Sequence, residues 1–208
     1  MNITSELDKE DINVESLAER ALENEGMLPE LLDGVLAKKD FIRFNSFKVL
    51  LFISEKHPEV LYPKWDFLEG LLDSNNSYLK YIAIYLIANL AQVDAEARLE
   101  WIFERLYSIL DGEGTIAAAH LARNSGKIAQ AKPELRAKIT QRLLNIDRTH
   151  QGRQKELIKG HAIEALDEYF EEAKNQPEIL EFVKKQLQSQ SPKTRKLARE
   201  FLQKWHNQ

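Results

Sequence analysis

A chain of 208 residues, 43% hydrophobic and 30% charged, is long enough for one well-buried unit or a short array and has the composition of a soluble folded protein. Eight Gly and six Pro leave little room for an all-β fold, no apolar run approaches membrane-span length, and with no Cys there is no disulfide, thiolate nucleophile or Cys-ligated zinc. The net charge of −4 hides an asymmetry: residues 1–120 hold 22 acidic against 11 basic side chains, and residues 121–208 hold 11 against 18. Solvated helix faces account for such drift; the functional reading is a bipolar surface that orients a partner or favours head-to-tail contact.

Residues 1–13 carry clustered acids without apolar periodicity and read as a flexible tail; the acidic, polar start is not that of a signal peptide, and a cytoplasmic location is expected. A first helix is predicted over 14–25, with Val14, Leu17, Ala18, Ala21 and Leu22 on one face and Gly26 at its end. Beyond it the chain repeats. Ser46, Ala83, Ala118, Ala162 and Ala198 form a column of small residues, spaced 37, 35, 44 and 36 apart, each followed at +3, +4 and +7 by a mostly apolar set such as Val49, Leu50, Ile53. A period in that range marks a solenoid of stacked helix pairs.

Four Pro-Glu pairs (Pro29, Pro58, Pro133 and Pro177) mark first-helix starts, because Pro suits the first helical position and Glu the positive end of the helix dipole. In the third repeat Asp94 takes the capping role, ahead of Ala95 and Glu96, and Ser191-Pro192 opens the last second helix. The pairs are 29–38 with 41–56, 59–73 with 76–92, 95–110 with 115–130, 133–146 with 151–174, and 177–189 with 192–206. Pro63 should kink or restart its helix. The expected fold is all-α: a right-handed solenoid of about five antiparallel helix pairs forming a single domain over 14–208, with the N-terminal helix as cap.

The second helices read Ile42-Arg43-x-x-Ser46, Leu79-Lys80-x-x-Ala83, Ile158-Lys159-x-x-Ala162 and Thr194-Arg195-x-x-Ala198. This pattern of an apolar residue, a basic residue and a small residue resembles that of HEAT repeats over residues 28–206. The resemblance implies a right-handed superhelix with second helices on the concave side. HEAT repeats commonly place an Asp six residues before the basic one, forming an Asp–Arg ladder. Here those places hold Ala37, Ser74, Ile109, Arg153 and Ser189, which puts such a ladder in doubt.

Relative to the small anchor, positions −2, +1, +2, +5 and +9 make the face opposite the core and should line the groove. In the first two repeats that face is apolar: Phe44, Phe47 and Leu51, then Tyr81, Ile84, Tyr85 and Ala88. It continues as Ile116, Ala119 and His120, turns basic at Arg123 and Lys127, and ends in charge, including Arg199. Contiguous apolar exposure marks a binding site. Two competing readings are a cap, in which the N-terminal helix or the Ile3–Leu7 segment folds over Phe44 and Tyr85, and plain burial by superhelical curvature. The alanine-rich stretch 114–126 reads as tight stacking or as a notch for a partner side chain.

Catalytic signals are weak. His57, His120, His150, His161 and His206 show no metal-ligand spacing, and His120 and His161 fall at different offsets (+2 and −1), so no shared site is expected. No phosphate loop, nucleophile elbow or triad appears, and no cofactor is implied. The expectation is a non-catalytic scaffold that binds another protein or a peptide segment in its concave groove, without a membrane role. The alternatives are a nucleic-acid binder through the basic C-terminal half, a regulatory subunit of an enzyme complex, or a HEAT-like DNA glycosylase. The glycosylase reading needs a basic groove lined with Trp, but Trp65 and Trp101 fall in first helices.

Overall fold

The structure, a computed structural model, describes residues 3–205; residues 1–2 of the expected tail and His206 lie outside them. The described residues are helical with no strand, and the fold is an all-α solenoid. Within the span read from sequence as one domain, the chain forms two compact units, residues 1–93 and 94–208.

The first unit contains α1 (Ile3–Leu7), α2 (Val14–Glu23), α3 (Met27–Gly34), α4 (Asp40–Lys56), α5 (Pro58–Leu61), α6 (Trp65–Leu71) and α7 (Ser77–Leu90). Local chemistry sets these bounds. The Asn13 and Asn76 side chains accept from Ser16 N and Tyr78 N to cap α2 and α7. Pro63 sits in a 3₁₀ turn, Tyr62–Lys64, that separates α5 from α6, because a proline cannot donate into a continuous helix. Trp65 then turns fully inward and donates its indole N–H to Glu69 Oε2 at 3.1 Å.

The flexible tail expected over 1–13 is corrected for its described part. Ile3 and Leu7 of α1 are buried, and the buried Asn45 amide donates to Leu7 O (2.9 Å) and Lys9 O (2.8 Å). Arg20 adds a two-pronged bond to Glu6 at 2.8 and 3.0 Å. Two apolar side chains in a five-residue helix were too few to show a period. Their burial, with backbone carbonyls held by Asn45, nevertheless fixes the segment on α4.

The second unit contains α8 (Arg98–Tyr107), α9 (Thr115–Ala131), α10 (Arg136–Leu144), α11 (Ile146–Thr149), α12 (Lys155–Asp167), α13 (Gln176–Lys185) and α14 (Pro192–Trp205). Helix α8 begins later than expected. The buried Asp94 carboxylate accepts from Arg98 N (2.9 Å) and Leu99 N (3.0 Å), reaching over Ala97, which takes the left-handed conformation at φ 56°. Lys132, itself buried, satisfies the remaining acceptors by binding Asp94 Oδ2 (3.1 Å) and Asp94 O (2.7 Å). Helix α12 stops at Asp167, short of the expected 174. There Phe170 turns inward to pack against Phe201 and Trp205, centroids 5.1 and 4.9 Å away. Gln176 Nε2 then caps the freed carbonyls of Phe170 and Glu171.

The small-residue column is the spine of both units. All five anchors, Ser46, Ala83, Ala118, Ala162 and Ala198, have 0% exposure. In the second unit α9 and α12 approach closely: a Cβ on Gly126 of α9 would lie 3.0 Å from the Ala165 backbone oxygen of α12, and one on Gly160 of α12 would lie 2.7 Å from the Thr194 side chain. Ala117, Ala118, Ala119 and Ala122 are buried, which supports tight stacking of α9. The two buried tyrosine hydroxyls of this unit are paired, Tyr107 OH to Ser125 Oγ (3.1 Å) and Tyr169 OH with Thr140 Oγ1 (2.9 Å). Burial pushes the Tyr169 hydroxyl up to about 12.

In place of an Asp ladder, basic residues use local oxygens. Arg43 Nη1 donates to Ala37 O (3.3 Å) and Arg195 Nη1 to Ser189 O (2.6 Å), in each case the carbonyl six residues back. Lys159 instead pairs with Glu156 (2.6 Å) and Asp147 (2.9 Å). The carbonyls that end the connection between the two helices of a repeat thus do the work expected of a carboxylate.

Candidate partner-binding faces

Position +1 does not belong to the free face. Phe47, Ile84, Ala119 and Ile163 all occupy it and are all buried; Arg199, in the last second helix, is exposed. Phe47, 2% exposed, shows the cause: its ring meets Tyr81 edge-on at 5.0 Å and Tyr85 at 6.1 Å, both on the next second helix of its unit. The placement of Phe47 in an open groove is therefore corrected. Ile84, Ala88 and Ala119 are likewise core.

Positions −5, −2 and +2 are exposed or half-exposed, except Gly160 at −2 of the fourth repeat, which is buried. In the first unit Phe41 and Phe44 on α4, and Tyr78 on α7, are about half exposed, with Tyr81, Tyr85 and Leu51 half-buried beside them. Sequence reasoning missed Phe41 and Tyr78. Both stand at −5, one turn before Phe44 and Tyr81, and extending the stripe by one turn would have found them. Together they border an open depression of about 440 Å³ lined by Asp40, Arg43, Phe44, Phe47, Tyr78, Tyr81 and Ile82. Cations already lie over its rings: Arg43 is 5.7 Å from the Tyr78 centroid and Lys48 Nζ 4.9 Å from that of Phe44. Asp40 pairs with Arg43 yet keeps an 87% exposed side chain. The N-terminal helices pack on α4 around Asn45 and leave Phe44 51% exposed, so the cap does not close this face.

In the second unit Ile116 is exposed, His120 half-buried, and Arg123, Lys127 and Arg199 exposed. His120 and His161, read from sequence as unrelated, are close enough to interact. Burial, then the charges of His161 and Arg123, lowers His120 to about 4. Burial also lowers His161, outweighing its bond to Glu164, whose Oε2 lies 2.6 Å from the ring Nδ1. Burial works to raise the Glu164 carboxyl, but that bond and Lys193 hold it below its usual value. Asp167 accepts from Lys204 (3.0 Å) and the Trp205 indole (2.6 Å). The basic residues of this unit are thus interleaved with acids from α12. Among the described residues no group of three or more His, Asp or Glu could hold a metal ion, and no helix is long and apolar enough to cross a membrane.

His150, which shows no metal-ligand spacing in the sequence, is buried, and its ring donates Nδ1–H to Leu110 O at 2.8 Å. With Gln151 N bonded to Asp111 O (3.2 Å) and Arg142 to the Asp111 carboxylate (3.0 Å), it fixes the Asp111–Gly114 joint before α9.

Helix pairs stacked on a buried small-residue column define an α-solenoid of the HEAT/armadillo kind. Two solved structures are similar over nearly the whole chain. One is the crystal structure of an engineered protein (Northeast Structural Genomics Consortium), at a TM-score of 0.57 and 20% identity over 98% of this chain and 96% of that one. The other is a designed armadillo repeat protein, at 0.50 and 16% over 97% of each. No protein-family model matches the chain, and no curated protein matches it.

Proposed function

We propose that the protein is a non-catalytic, cytoplasmic interaction scaffold that binds a segment of another protein on the aromatic face of its first unit. The observation that carries this reading is the half-exposed stripe of Phe41, Phe44 and Tyr78 beside Tyr81 and Tyr85. Soluble proteins seldom leave such contiguous apolar surface without a use, and aromatic side chains dominate interface hot spots. The rings are preorganised, because Phe47 beneath them locks Tyr81 and Tyr85 in edge contacts. From position 41 to position 51 the α4 stripe runs about 15 Å, which matches roughly five residues of extended peptide. Ile116, His120, Arg123 and Lys127 on α9, with Arg199 on α14, offer a second, more polar contact face in the other unit.

Selection of random peptides displayed on phage against the full chain tests the proposal. Binders should lose at least about tenfold in affinity on Phe44→Ser/Tyr78→Ser, while the circular dichroism spectrum and melting temperature stay near those of the parent. Binders indifferent to this pair of substitutions would remove the aromatic face from the account.

A further inference from the structure

The chain has three tryptophans, and two of them donate their indole N–H to a carboxylate: Trp65 to Glu69 (3.1 Å) and Trp205 to Asp167 (2.6 Å). Trp101 on α8 is different. It is 87% exposed. The first unit holds the complementary feature, an aromatic depression with an exposed carboxylate, Asp40, at its edge and cations at its rim.

We infer that the protein associates with itself head to tail, with Trp101 of one copy docking into the depression between α4 and α7 of another. Three features favour a second copy as occupant. A volume of about 440 Å³ accommodates an aromatic side chain. The indole face meets Arg43, which lines the depression and already lies over Tyr78, so cation–π attraction adds to apolar burial. The exposed Asp40 carboxylate supplies an acceptor for the Trp101 indole N–H, as Glu69 and Asp167 do for the other two indoles. Long-range charge adds to these: residues 1–93 hold 16 acidic and 9 basic side chains, whereas residues 94–208 hold 17 and 20. The first unit of one copy therefore attracts the second unit of another. The contact is heterologous, joining unlike patches of two copies. A single-anchor interface is small, and association is expected only at high concentration, on the order of 0.1–1 mM.

The inference rests on reading the depression as a binding surface, and complementation tests it. In sedimentation velocity of the full chain, the weight-average mass should rise with concentration across that range and fall back in high salt. Trp101→Ala removes an exposed side chain and leaves the depression intact; Phe44→Ser/Tyr78→Ser does the reverse. Each variant alone should remain monomeric, while an equimolar mixture should form pairs and nothing larger, because each supplies the half the other lacks. A parent protein that stays monomeric throughout, a Trp101→Ala variant that still associates, or a mixture that forms no pairs would each overturn it. If peptide binders depend on Phe44 while the parent stays monomeric, the scaffold reading stands and self-docking falls. If the mixture pairs while no peptide is selected, the depression serves its own chain and the broader scaffold reading falls.

Discussion

Phe47 and Phe44 lie one helical turn apart on α4, and the structure gives them opposite roles. Phe47 is 2% exposed, with two edge-on tyrosine contacts, whereas Phe44 is 51% exposed. Truncating a buried Phe to Ala costs about 3–5 kcal/mol, of which the ring contacts account for about 0.5–1.5 kcal/mol each. The site lies between helices that can partly close over the gap, so the lower end, about 3 kcal/mol, is the expected loss for Phe47→Ala. For Phe44→Ala about half of the apolar area is already in water, and the loss should stay within about 1 kcal/mol. Urea unfolding followed by Trp65 fluorescence, with Trp101 and Trp205 replaced by Phe, reads the first unit alone. A denaturation slope of about 1–3 kcal/mol/M would move the midpoint by about 1–3 M for Phe47→Ala and by less than 1 M for Phe44→Ala. Equal small shifts for the two would refute the assignment of position +1 to the interface between successive second helices.

The remaining expectations concern the second unit. Ala118→Leu should overpack the stacked α9 and cost about 1–3 kcal/mol by the same urea assay, read from Trp205. His150→Ala should cost about 2–3 kcal/mol by leaving a cavity and an unpaired Leu110 carbonyl, and faster hydrogen exchange at Gln151 N would report the loosened joint. Acidification should destabilise this unit. His120 titrates near 4 in the folded chain against 6.5 in the reference state, so the unfolded state takes up a proton that the folded state refuses in that window. The His120 contribution is fully present above pH 6.5 and is lost as pH falls towards 4. After discounting for partial exposure this is about 1–2 kcal/mol. His161, lowered by burial, acts in the same direction; Glu168, raised by burial, acts in the opposite direction. His120→Asn should flatten the midpoint-against-pH curve between those limits, and an unchanged slope would show that His120 is not the group responsible.

The architecture was readable because it rests on one repeated steric demand: a side chain small enough to let two helices approach must recur wherever two helices cross. What the period could not show is which flank of each second helix faces its neighbour. Helical projection places +1 and −2 on the same outward arc, but stacking is directional, so Phe47 is covered by Tyr81 and Tyr85 while Phe44 is not. Read this way, the +1 series Phe47, Ile84, Ala119, Ile163, Arg199 already carries the direction: four apolar residues, then a charge in the last second helix. Single contacts had no such repetition to reveal them. Asn45 holding the Leu7 and Lys9 carbonyls, Asp94 capping across Ala97, and His150 bracing Leu110 each join residues 4 to 40 positions apart through one polar side chain. A lone polar residue in a helical stripe looks the same in sequence whether it meets water or a buried carbonyl. The same holds for Trp101: first-helix spacing placed it in the outer layer, and only its 87% exposure against the full burial of Trp65 separates a structural indole from one available to a partner.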